Sequence, residues 1–197
     1  ADSDARTGRA DSTSVKESRK HRLFFALEPN GGVRDAVGRL QKTLTLDARP
    51  VPIANFHVTL AFLGMQNTAV IQVVCEVASR LAFPTCEVVL DSLGRFKRAG
   101  VIWLGASEVP GVLQQFQQNL VDGLLEAGVG YDRKPWKFHL TLYRKMRTPP
   151  PTMDPVAIRW RLNSFSLVES VSVRSGVEYH RVGYWKAVRQ GVNPGAM

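Results

Sequence analysis

The chain has 197 residues, 44% hydrophobic and 22% charged, values ordinary for a single globular domain with a real core and unlike those of a disordered or collagenous chain. No run approaches the roughly 18 apolar residues of a membrane helix, and residues 1–20 lack the apolar stretch of a secretory leader, so a cytoplasmic protein without a membrane partner is expected. A formal charge of +9 invites an anionic partner.

Residues 1–20 carry almost no apolar content and read as a flexible tail. His21 to Glu28 (HRLFFALE) predicts a strand, ended by the turn cluster Pro29-Asn30-Gly31-Gly32. Val33, Val37, Leu40 and Leu44 recur at helical spacing and predict a helix to about Leu46. Asn55–Leu63 predicts the next strand, and a helix follows from about Thr68, its candidate N-cap, to Ala82. Cys86–Leu90 and Val101–Leu104 read as a strand pair separated by a loop over Gly94–Gly100. Val109 to about Ala127 predicts a third helix, stopped by Gly128 and Gly130. Lys137–Tyr143 predicts a strand, and residues 156–162, 164–173 and 177–188 suit further antiparallel strands, with a short C-terminal tail over 191–197. The pattern favours an α+β fold with antiparallel sheets over a doubly wound parallel one. Cys75 and Cys86 are too few for a disulfide framework or a thiolate zinc site and read as reduced, packed thiols.

The tail contributes only +1 of the charge. Arg133, Lys134, Lys137, Arg144, Lys145, Arg147, Arg159 and Arg161 crowd one stretch, and Arg95, Lys97 and Arg98 flank Phe96. These clusters suit either phosphate-binding rims or a solvated basic face.

Two of the four histidines sit in matched tetrapeptides, His57-Val58-Thr59-Leu60 and His139-Leu140-Thr141-Leu142, each preceded by a phenylalanine, Phe56 or Phe138. Ten threonines give any histidine roughly a one-in-twenty chance of Thr two residues on, so the duplication is improbable as coincidence. On a strand, His57 and Thr59 share one face and Phe56, Val58 and Leu60 the other; His139 and Thr141 oppose Phe138, Leu140 and Leu142 likewise. Residues two apart on a face lie about 6.5–7 Å apart, close enough for imidazole and hydroxyl to reach one phosphate. A metal site would need two further ligands near the histidines, and the sequence offers no clear candidates. His21 and His180 lack the Thr partner and read as structural or surface residues.

The motif pair, set in N-F-H-V-T-L-A-F-L-G and F-H-L-T-L-Y-R, resembles the two-histidine (2H) phosphoesterase superfamily, and within it the bacterial RNA 2′,3′-cyclic phosphodiesterases, also called 2′-5′ RNA ligases. The opening R-L-F-F-A-L-E and the central V-I-W-L-G share the likeness, which covers residues 21–188 or so. It implies a bilobal α+β structure, with two antiparallel sheets related by a pseudo-twofold, a central cleft and helices on the outer faces. It also implies metal-independent, cofactor-free opening of a terminal 2′,3′-cyclic phosphate to a 2′-phosphate. In that reading His57 is the proton donor, His139 the proton acceptor, and Thr59 and Thr141 bind the phosphate. Arg144, Phe56, Tyr143, Arg95, Lys97 and Trp136 are the expected substrate contacts, and the partner is RNA or a nucleotide with a cyclic phosphate end, bound by a monomer. Gly64-Met65 stands where many relatives have Gly-Glu. The same site could serve 2′-5′ RNA ligation or 2′-5′ oligoadenylate cleavage, or the cleft could bind nucleotide or RNA without turnover.

Overall fold

A computed structural model describes residues 19–148, 152 and 154–188. The C-terminal tail and all but the last two residues of the N-terminal one lie outside the described residues, and Lys20 already opens the first strand.

The described chain contains ten strands and three α-helices: β1 (Lys20–Leu27), α1 (Gly31–Thr43), β2 (Arg49–Pro50), β3 (Val58–Asn67), α2 (Thr68–Ser79), β4 (Cys86–Leu90), β5 (Ser92–Phe96), β6 (Val101–Gly105), α3 (Gly111–Glu126), β7 (Leu140–Arg144), β8 (Ile158–Leu162), β9 (Ser164–Val173) and β10 (Gly176–Lys186). A 3₁₀ turn, Ile53–Asn55, precedes β3. Asn30 caps α1, its side chain accepting a hydrogen bond from the Val33 N–H at 3.0 Å. The capping residue of α2 is Asn67 and not Thr68, because the Thr68 hydroxyl is engaged by His21.

All strand pairs are antiparallel, in two sheets. The larger runs β10-β9-β1-β3-β7-β6-β5, with β2 also on β7; the smaller is β4-β8. Two of the expected strand assignments are corrected here. The strand over Cys86–Leu90 pairs with β8 and not with Val101–Gly105, and the expected loop over Gly94–Gly100 begins as β5, the true partner of β6. The Trp103 ring explains the glycine in that strand: it lies across Gly94, filling the space a side chain would need.

The large sheet is two four-stranded halves, β10-β9-β1-β3 and β7-β6-β5 with β2, meeting at the one pair Val58↔Leu140. The halves repeat each other in register. In β1–β3, Ala26 faces Thr59 and Phe25 faces Ala61, so Leu60 is skipped; in β6–β7, Trp103 faces Thr141 and Ile102 faces Tyr143, so Leu142 is skipped. Each motif thus ends in a bulge at its leucine. A buried helix glutamine reaches the leucine carbonyl at each bulge, and Leu142 O also accepts the Val51 N–H at 2.9 Å. Gln117 of α3 donates to Leu60 O at 3.0 Å, and Gln41 of α1 to Leu142 O at 2.9 Å.

The main core lies between this sheet, the helices and the β4–β8 pair, with Leu23, Phe25, Val58, Leu60, Leu113, Leu140 and Trp160 nearly sealed from solvent. A smaller cluster of Phe24, Ala26 and Val168, joined by Phe62 and Tyr179, forms separately from this main core.

Candidate active site

The motif residues divide as strand alternation dictates. Phe56, Val58 and Leu60, and Phe138, Leu140 and Leu142, are buried in the core, while His57, Thr59, His139 and Thr141 are half-buried. Both histidines stand one residue before their strands, and both are fixed in the same way. His57 Nδ1–H donates to Asn55 O at 2.8 Å and His139 Nδ1–H to Lys137 O at 2.7 Å. A carbonyl can only accept, so each Nδ1 carries the proton and each neutral ring keeps its Nε2 lone pair. His57 Nε2 lies 3.1 Å from Thr59 Oγ1, so the imidazole and hydroxyl of the first motif are already in contact.

Each ring is also held by aromatics. Phe24 lies 4.9 Å and Tyr179 5.1 Å from the His57 ring, centre to centre, and Phe96 and Trp103 lie 5.1 and 6.3 Å from His139. This packing desolvates the imidazoles. Burial is the main reason that His57 falls from the usual 6.5 to about 4; its hydrogen bond to Asn55 opposes this, Arg144 and His139 add to it, and Glu28 opposes it. His139 is also lowered, first by burial and then by the charges of Lys137 and Arg144, against its hydrogen bond to Lys137. Arg144 therefore acts on both rings, as a charge placed in the cleft does.

The bulge explains how Arg144 comes to face that cleft. In an unbroken strand His139, Thr141 and Tyr143 share a face and Arg144 opposes them. The skipped Leu142 reverses the alternation, so Tyr143 is 6% exposed with its hydroxyl donating to Gln41 O and Leu44 O, and Arg144 is exposed. Tyr143 is thereby corrected from substrate contact to core residue. Phe56, 1% exposed within the main core, is corrected for the same reason: its face of the motif is the packed one.

Beside His139 and Thr59 opens a cavity of about 510 Å³ whose walls include Phe62, Phe96, Tyr131 and Trp136, with Arg98, Lys134 and Lys137 also lining it. Trp136 is fixed there by its Nε1–H, which donates to Thr59 O at 2.9 Å. Lys137 Nζ stands 4.5 Å above the Trp103 ring. Of the expected contacts, Arg95 and Lys97 do not line this cavity: Arg95 is half-buried in β5 opposite Ile102, and Lys97 is exposed in the following turn. Sequence reasoning missed Phe24, Tyr179, Trp103, Gln41 and Gln117. Only the glutamines left a signal, as polar residues on otherwise apolar helix stripes.

His21 lies apart from the cleft residues, its Nδ1 2.8 Å from Glu169 Oε1 and its Nε2 2.9 Å from Thr68 Oγ1, and His180 is exposed beside Glu178. Cys75 and Cys86 are free and half-buried, and burial pushes both thiols up. Among the described residues no three His, Cys, Asp or Glu side chains gather as metal ligands, and no helix is long and apolar enough to cross a membrane.

Two histidine–threonine pairs at the seam of a duplicated antiparallel sheet define the class, a two-histidine α+β protein. More particularly, the chain belongs to the 2′-5′ RNA ligase superfamily, whose family model matches residues 23–174. It is 29% identical to an RNA 2′,3′-cyclic phosphodiesterase of Escherichia coli over 172 residues, covering 85% of this chain and 97% of that protein. It is 30% identical to one of Thermus thermophilus over 178 residues, covering 80% and 86%. Among solved structures, E. coli LigT in apo form superposes with a TM-score of 0.79 at 26% identity, covering 87% of this chain and all of that one.

Proposed function

We propose that the protein is an RNA 2′,3′-cyclic phosphodiesterase that opens a terminal cyclic phosphate to a 2′-phosphate. The observation that carries this reading is the pairing of Val58 with Leu140, which brings two His–Thr pairs, each with Nδ1 tied to a carbonyl, to one seam. The names of the relatives support it, as does the crystal structure of E. coli LigT complexed with 3′-AMP.

In the proposed mechanism a water attacks phosphorus in line with the 3′ oxygen. His139 Nε2 takes the proton from the water, the phosphorus–3′-oxygen bond breaks, and His57 Nε2 delivers a proton to that oxygen. Thr59 and Thr141 donate hydrogen bonds to the non-bridging oxygens, and Arg144 counters the charge that grows on them. After turnover His57 is neutral and His139 protonated, and exchange with water restores the starting state. His57, lowered to about 4, is neutral in the free protein, so its role as donor depends on the anionic phosphate raising it. The cavity beside His139 takes the terminal nucleoside, with Trp136 and Phe96 as stacking surfaces and Arg98, Lys134 and Lys137 near the backbone, while Arg95 and Lys97 serve the RNA outside it. No step calls for a metal, and the protein acts as a cytoplasmic monomer.

The test is incubation with an RNA fragment ending in a 2′,3′-cyclic phosphate, with and without EDTA, and chromatography of the product. A 2′-phosphate formed equally in both supports the proposal. Unchanged RNA points to a binding module, and loss with EDTA restored by zinc points to a metal enzyme.

A further inference from the structure

Arg49 and Arg144 are antiparallel Cα partners across β2 and β7. Side chains at directly opposed positions share a face of the sheet with Cβ atoms about 4.5–5.5 Å apart, and like charges so placed repel. Both residues are exposed, and neither guanidinium has a carboxylate or hydrogen-bond partner among the described residues, whereas Arg159 and Arg181 are paired with Glu87 and Glu28. The repulsion is therefore left uncompensated by the protein.

Its location is specific. Arg144 acts on His57 and His139 together. Arg49 Nη2 lies 3.8 Å from the point a Cβ on Gly176 would occupy, at the β9–β10 turn, and the neighbouring Val177 O is bound by the side chain of Asn55, whose own carbonyl holds His57. The two cations thus flank the His57 end of the cleft. A phosphate between two guanidiniums turns their repulsion into two charge-assisted, bidentate contacts.

We infer that Arg49 and Arg144 form a two-guanidinium clamp for a phosphate group of the RNA, with Arg49 a binding residue outside both His-x-Thr motifs. The inference rests on the reading of the cleft as a phosphoesterase site. The phosphate held is either the reacting one or the phosphodiester next to it in the strand.

The experiment compares the parent with Arg49→Met and Arg49→Lys. Melting is followed in phosphate-free buffer and with inorganic phosphate, and kcat/KM is measured on a nucleoside 2′,3′-cyclic phosphate and on a dinucleotide with the same end. Arg49→Met is expected to melt no lower than the parent without phosphate, because a repulsion is removed, and to lose most of the phosphate-induced rise in Tm. Its kcat/KM falls about 10- to 100-fold. A fall on both substrates assigns the clamp to the reacting phosphate; a fall on the dinucleotide alone assigns it to the adjoining phosphodiester. Arg49→Lys, which cannot present a fork, recovers only part. A lower Tm without phosphate, with the phosphate shift and both kcat/KM values intact, would overturn the clamp and make Arg49 a packing residue. If the parent turns over neither substrate yet shows an Arg49-dependent phosphate shift, the catalytic reading fails and the clamp stands.

Discussion

Val58 and Leu140 hold the same place in the two tetrapeptides and are each other's antiparallel partners, so the twofold relation of the halves passes between them. The preceding histidines reach the seam from opposite directions with the same proton on Nδ1. His57→Ala and His139→Ala are each expected to lower cyclic-phosphate hydrolysis about 10²- to 10⁴-fold, with unchanged circular dichroism, since neither side chain belongs to the main core. Normal turnover in either purified variant would sink the two-histidine mechanism.

His57 links stability to pH. Above about pH 6.5 its imidazole is neutral both folded and unfolded, whereas between 6.5 and about 4 only the unfolded form takes a proton. Stability is therefore full above this window and declines as pH falls through it, by on the order of 3 kcal/mol. Denaturant unfolding across the window should show that decline for the parent and a shallower one for His57→Gln. Inorganic phosphate should raise the midpoint of the His57 ring signal in an NMR titration.

Gln41 is the support of the bulge that turns Arg144 outward, its amide donating to Leu142 O and to Val51 O, both at 2.9 Å. Gln41→Leu takes the amide donor from Val51 O and leaves Leu142 O with the Val51 N–H alone, and should cost about 1–2 kcal/mol. If the bulge relaxes, Arg144 loses its place, so kcat/KM should fall more than the loss of folded protein accounts for. Denaturant melts alongside kinetics on the same sample separate the two effects.

Gly94→Ala places a methyl 2.1 Å from a carbon of the Trp103 ring. The ring cannot yield without leaving His139 and Lys137, so a loss of about 1–3 kcal/mol or more is expected together with reduced activity. An unaltered melting curve would contradict this packing.

Tyr143→Phe removes the hydroxyl that binds Gln41 O and Leu44 O. A destabilisation of about 1–2 kcal/mol with unaltered KM is expected. A raised KM with intact stability would return Tyr143 to the cleft.

The alternation of apolar and polar residues made the two motifs and their core-facing partners legible, because a strand face is a local property. Strand parity holds only until a bulge, so Tyr143 lies in the core, and the carbonyl skipped at Leu142 is bonded by Gln41 and Val51, about a hundred residues away in the chain. Phe56 adjoins His57 in the sequence, but the same parity puts it inside. The partner of Cys86–Leu90 could not be read because β8 follows it by almost seventy residues, with no local turn to announce the pairing. Phe24 and Tyr179 gave no signal, since aromatics that pack on an imidazole have the composition of any core.

The meeting of the halves at one residue pair has a mechanical consequence. When two rigid plates swing about a seam, displacement grows with distance from it. His57 and His139 adjoin the pivot, whereas β10 and β5 are the outermost strands of the sheet. Any movement of one half against the other would therefore shift the outer strands more than the two imidazoles, as at the rivet of a pair of shears.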